Sequence, residues 1–165
     1  MGRQIRFFMG PQDEAKFLKF VRANGDRIVR TKTKDGKVDF ISGELLDTDL
    51  TVLIVSDSSR IVIDEYGFID LSRSDVIEFS RCSKVKDGRM EEYGRLWFET
   101  EYWDDQQQLI RKEEWLKKRF ELYRKWIKKN FRISKDKDFY IGEEAYQLYL
   151  NGVKMMAGPK CAVEF

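Results

Sequence analysis

A single switch of period near residue 104 limits the fold more than any other feature of this chain. Up to about Tyr102, apolar side chains alternate with polar ones in short runs separated by turn signals; from about Asp104 to Phe131 they recur at helical spacing. Alternation with period two buries one face of a strand, whereas a repeat near 100° per residue buries one stripe of a helix. A chain that makes this switch late, after several strands and one early helix, does not repeat strand–helix–strand units. Its layer plan is a mostly antiparallel sheet with helices laid on it.

The individual elements follow from local signals. Residues 3 to 9 carry Ile5, Phe7, Phe8 and Met9 and read as a first strand. Pro11 at a first helical position, Asp13 and Glu14 in the first turn, the stripe Phe17, Leu18, Val21 and the stop Asn24-Gly25 predict a short N-terminal helix. Residues 27 to 33 and 38 to 41 read as a hairpin around Lys34-Asp35-Gly36-Lys37. A second hairpin is expected between Thr51 to Val55 and Ile61 to Asp64, flanking Ser56-Asp57-Ser58-Ser59. The third and longest joins residues 76 to 85 and 89 to 102 through Lys86-Asp87-Gly88.

The long amphipathic helix, about 104–131, places Leu109, Leu116, Phe120, Tyr123, Ile127 and Phe131 on one stripe. Trp115, Leu122 and Trp126 lie on a second, with Lys112 and Arg119 between. A polar loop at 132–138, a short C-terminal helix from about 142 to 150 and a tail at 153–165 without clear period complete the reading. The expectation is an α+β fold: about five to seven strands, a short N-terminal helix, the long helix and a short C-terminal helix on the sheet. Residues 1–165 are expected to form a single domain, since no repeat or linker divides them.

Composition sets limits on function. Hydrophobic residues make up 42% and charged residues 36%, and no apolar run approaches a bilayer span, so a folded cytoplasmic protein without membrane contact is expected. Met1-Gly2-Arg3-Gln4 lacks the apolar stretch of an export signal. Cys82 and Cys161 match no metal or redox spacing and are expected to be two reduced thiols. Histidine is absent, which removes the commonest general base and the imidazole metal ligands together. No phosphate-binding glycine loop and no nucleophile elbow occurs, so no catalytic residue and no cofactor is assigned.

Charge is unevenly spread along the sequence. Residues 1 to 37 hold 10 basic and 4 acidic side chains, residues 38 to 105 hold 7 and 17, and residues 106 to 165 hold 14 and 8. Either two oppositely charged surfaces or complementary packing of the ends on the middle accounts for this, and the second is favoured.

Three functional expectations follow. The first is a small non-enzymatic accessory domain that recognises another protein through the outward face of the third hairpin. Alternation there puts Arg95, Trp97, Glu99, Glu101 and Trp103 on one side at steps of about 6.8 Å. The competing structural expectation is that this face is covered by the chain itself. The second is nucleic-acid binding through the basic helix 111–129, by Lys117, Lys118, Arg124, Lys125 and Lys128. Against it, Glu113–Lys117, Glu114–Lys118 and Glu121–Lys125 have the favourable i, i+4 order of an ordinary solvated helix face. The third, a divalent-metal-dependent enzyme using Glu99, Glu101 and Asp104, is the weakest, and no metal ligand is assigned.

Overall fold

The computed structural model describes residues 3–99, 106–132 and 139–141. The chain forms an antiparallel sheet with two α-helices, an α+β arrangement. In chain order the elements are β1 (Arg3–Phe8), α1 (Pro11–Ala23), β2 (Arg27–Arg30), β3 (Phe40–Ile41), β4 (Thr51–Val55), β5 (Val76–Lys86), β6 (Arg89–Phe98), α2 (Gln106–Asn130) and β7 (Phe139–Ile141). The sheet order is β3-β2-β4-β5-β6-β1-β7.

Strand parity divides the sheet into two unlike faces. Ile5 and Phe7, Ile28, Val52 and Ile54, Ile77 and Phe79, and Leu96 and Phe98 all point to the face that α1 and α2 cover. There they meet Phe17, Leu18 and Val21 of α1 and Leu116, Phe120, Tyr123 and Ile127 of α2. On the opposite face Val29, Leu53, Val55 and Val76 are sealed by Ile69, with Ile61 and Leu71 beside it, from the loop between β4 and β5.

Both helices start and stop near their expected bounds. Gly10 receives the turn that Pro11 begins, and its N–H donates to the Asp13 carboxylate at 3.2 Å. Asp35 and Asp87 have φ of 54° and 51°, and the glycines that follow have φ of 75°. Positive φ at both central positions is the turn whose twist matches a hairpin, which is why Asp-Gly was a usable signal. Gly94 serves another purpose: a Cβ there would lie 2.6 Å from the Phe7 ring.

The expected second hairpin does not form. β4 pairs with β2 on one side and β5 on the other, and residues 61 to 64 contribute only an isolated bridge, Ile63 to Ile69. Val52, Leu53, Ile54 and Val55 are all at most 1% exposed. A strand buried on both faces belongs in the middle of a sheet, paired on both sides. The intervening loop folds on itself instead: Asp57 caps a 3-10 turn at Ser58–Arg60, Asp64 accepts the N–H groups of Tyr66 and Phe68 at 2.9 Å, and Arg60 meets Asp75 at 2.8 Å.

β7, between the loop and the helix expected from the sequence, is a strand paired on β1. The short helix at 142–150, the tail at 153–165, most of the 132–138 loop, Glu101, Trp103 and Asp104 lie outside the described residues. Cys82 is disulfide-linked, which corrects the expected reduced thiol. No helix among the described residues is long and apolar enough to cross a membrane.

Candidate functional site

The third hairpin is the longest local structure in the sheet, and its two halves differ. Five residues of β5, Val76 to Ser80, pair with β4, and β1 pairs with β6 only from Tyr93 to Phe98. From Arg81 to Glu92 the hairpin therefore runs on as a two-stranded ribbon, flanked by no other strand among the described residues.

The inner half carries Arg95, Trp97 and Glu99 on the face opposite the helices, as alternation requires. They do not form an open ladder. Arg95 is only 3% exposed; its Nε donates to Gln4 Oε1 at 2.6 Å, its Nη1 lies 3.8 Å from Glu78, and its guanidinium sits 5.0 Å from the centre of the Trp97 ring. Trp97 is half-buried and donates its indole N–H to Glu99 Oε2 at 3.0 Å. Register places Arg6 directly across from Arg95, and the Arg6 guanidinium rests over the Tyr93 ring at 5.4 Å. Burial pulls the Arg95 pKa down to about 10; Glu78 opposes that shift and the Arg6 charge adds to it. Sequence alternation found the right face but not its depth, because it records polarity along one strand and not what neighbouring strands place beside it.

The outer half is the reverse. Val85 and Met90 are cross-strand partners near the tip, 66% and 64% exposed. At the ribbon base, a cavity of about 200 Å³ opens between the hairpin and the start of α1, lined by Gly10, Pro11, Glu14, Asp47, Arg81 and Glu92 among others. Arg81 anchors its wall, meeting Glu14 at 2.9 Å and donating to the Asp49 carbonyl at 3.2 Å. The exposed Leu46 and Leu50 flank this wall, and the Arg81 N–H donates to the Leu50 carbonyl at 2.8 Å.

The basic candidates on α2 lie apart from the hairpin. Lys117, Lys118, Lys125 and Lys128 are exposed and Arg124 is half-buried, on the side away from Leu116, Phe120, Tyr123 and Ile127. Two charged residues of the helix point inward instead. Lys112 is fully buried and donates to the carbonyls of Leu71 and Ser72 at 2.6 and 2.9 Å; burial lowers its pKa to about 8, against the pull of Glu99, Asp75 and Asp70. Arg119 and the Tyr123 hydroxyl both donate to the buried carboxylate of Asp26, at 3.0 and 2.5 Å. Burial and the Asp26 charge raise the Tyr123 pKa. The position of Lys112 and Arg119 between two apolar stripes was the sequence signal for this inward turn.

Among the described residues, no group of three cysteine or carboxylate side chains stands close enough to hold a metal ion. No family model matches the chain, and no curated protein or solved structure matches it either.

Proposed function

We propose that this chain is a protein-recognition domain that engages its partner through the third hairpin, at the outer ribbon rather than at the Arg95–Trp97 face. The observation that supports this reading is the ribbon itself. Its sides offer strand edges that no described element pairs. On the side of β5 away from β6, the Arg81 N–H finds its acceptor in Leu50, and alternation turns the N–H groups of Ser83 and Val85 the same way, where no described residue accepts them. An extended segment of another protein can add there as a further strand, with main-chain hydrogen bonds supplying affinity. Val85 and Met90 offer apolar area to the side chains of such a segment, whereas the inner half has little left to desolvate.

The test compares capture of native-host proteins by the wild-type chain with capture by Val85→Glu/Met90→Glu and by Trp97→Ala. The expected result is a partner lost with the first variant and kept with the second, with amide-exchange protection appearing at Ser83 and Val85 on binding. Equal capture by the wild type and the ribbon variant would sink the reading.

A further inference from the structure

The helix layer carries a second surface of different chemistry. α1 and α2 lie side by side: Phe20 stacks on Trp126 with ring centres 4.2 Å apart and planes 10° apart, its edge meets Tyr123, and Lys16 Nζ lies 5.7 Å from the centre of the Phe131 ring. Arg22 of α1 and Arg119 of α2 turn into the fold. Arg22 donates to the carbonyls of Ile41 and Gly43, and Arg119 to Asp26. Apart from the buried Lys112, lysines of both helices stay outside, with Lys16 and Lys19 on α1 and Lys117, Lys118, Lys125 and Lys129 on α2 all exposed. The i, i+4 pairs expected to neutralise this face do not close: among the described residues, Glu113, Glu114 and Glu121 form no salt bridge with Lys117, Lys118 or Lys125. Meanwhile the exposed Asp57, Asp64 and Glu65 belong to the loop that covers the opposite face of the sheet.

We infer that this two-helix surface binds the phosphate backbone of a nucleic-acid duplex through Lys16, Lys19, Lys118, Lys125 and Lys129, without reading base sequence. Three features select that ligand. At 1.5 Å per residue, Lys118 and Lys129 are about 16 Å apart along α2, the axial length of about five base pairs. Between Lys117 and Lys129 no large apolar side chain is exposed, so the surface offers neither the anchors of a protein hot spot nor the wedge an amphipathic helix drives into a bilayer. With Arg22 and Arg119 turned inward, the outward charge of this face is carried mainly by lysine, a point charge that suits phosphate oxygens rather than the bidentate reading of guanine edges.

Fluorescence anisotropy with a labelled 20-base-pair duplex of mixed sequence, a shuffled duplex and phosphatidylserine vesicles tests this. Both duplexes should bind equally, and five released counterions should cost on the order of a hundredfold or more in affinity between 50 and 200 mM salt. Lys118→Glu/Lys125→Glu, whose exposed positions leave the fold intact by circular dichroism, should lose at least about tenfold and flatten the salt slope by about two. Lys118→Gln/Lys125→Gln should do the same more mildly. Lys84→Glu/Lys86→Glu on the ribbon should change nothing, which separates this surface from the protein-binding one. The inference is overturned by no binding at 50 mM salt, by a strong preference for one duplex, by equal loss in the ribbon variant, or by capture of vesicles without capture of duplex.

Discussion

Within one hairpin, the inner half hides charge and the outer half shows apolar side chains. Arg95 and Glu78 are nearly inaccessible, while Val85 and Met90 stand in solvent a few residues further along the same two strands. The difference comes from neighbours rather than from local sequence. Where β4 and β1 flank the hairpin, every backbone edge is paired and even arginine can be held dry by Gln4, Glu78 and Trp97. Near the tip no described residue covers Val85 or Met90, so valine and methionine stay wet. Charged residues are thus buried in the half that is built into the sheet, and two apolar residues stay exposed in the half that runs beyond it.

The strongest way to break this contrast is to truncate one member of each half. Arg95→Ala leaves the Glu78 carboxylate buried without its cation and is expected to cost about 3–5 kcal/mol in urea unfolding. Val85→Asp/Met90→Asp should change stability by less than about 0.5 kcal/mol, as surface substitutions do. Equal losses in the two variants would erase the distinction between the halves.

Lys112 extends the comparison to α2, where a buried cation is again held by acceptors from another segment. Its folded pKa of about 8 lies below the unfolded value of 10.5, so across that window the unfolded chain binds more protons than the folded one. Stability should therefore rise with pH between about 8 and 10.5, by up to about 3 kcal/mol from this group. Unfolding free energies measured from pH 7.5 to 10.5 should show that rise in the wild type and a flatter profile in Lys112→Met; parallel profiles would assign the pH dependence elsewhere.

At Asp26, Asp26→Asn keeps the shape but weakens the acceptor shared by Tyr123 and Arg119, and is expected to cost about 2 kcal/mol. A double-mutant cycle with Tyr123→Phe should return a coupling above about 0.5 kcal/mol; simple additivity would mean that the short hydroxyl–carboxylate contact carries no energy of its own. The smallest effect is expected on the exposed helix face. Glu121→Gln should shift stability by less than about 0.3 kcal/mol, because Glu121 and Lys125 do not pair. A larger loss would show that the pair closes in solution and would weaken the case for an uncompensated basic surface.

Much of the fold was legible because it rests on local physics. The Pro11 entry, the Asp-Gly turns at 35–36 and 87–88, the alternation of β6 and the stripe of α2 each depend on residues within a few positions of one another. The second hairpin failed where two readings compete: a β-branched run after four polar residues fits a hairpin locally, but Val52 to Val55, apolar on both faces, are flanked on both sides, by β2 and β5. The candidate site divides in the same way. That Arg95, Trp97 and Glu99 share a face follows from period two, but that Arg95 is sealed there depends on Gln4, 91 positions away.

The sequence by itself determined the element types, the hairpin turns, the inward stripe of α2 and the excess of lysine along it, since propensity, periodicity and formal charge are properties of neighbouring residues. Only the tertiary structure decided which charges are buried and which apolar groups remain outside, because desolvation depends on what the rest of the chain brings to each side of a strand. That is why two cations, Arg95 and Lys112, could be named from the sequence without their burial, and the exposed apolar pair Val85 and Met90 emerged only from the fold.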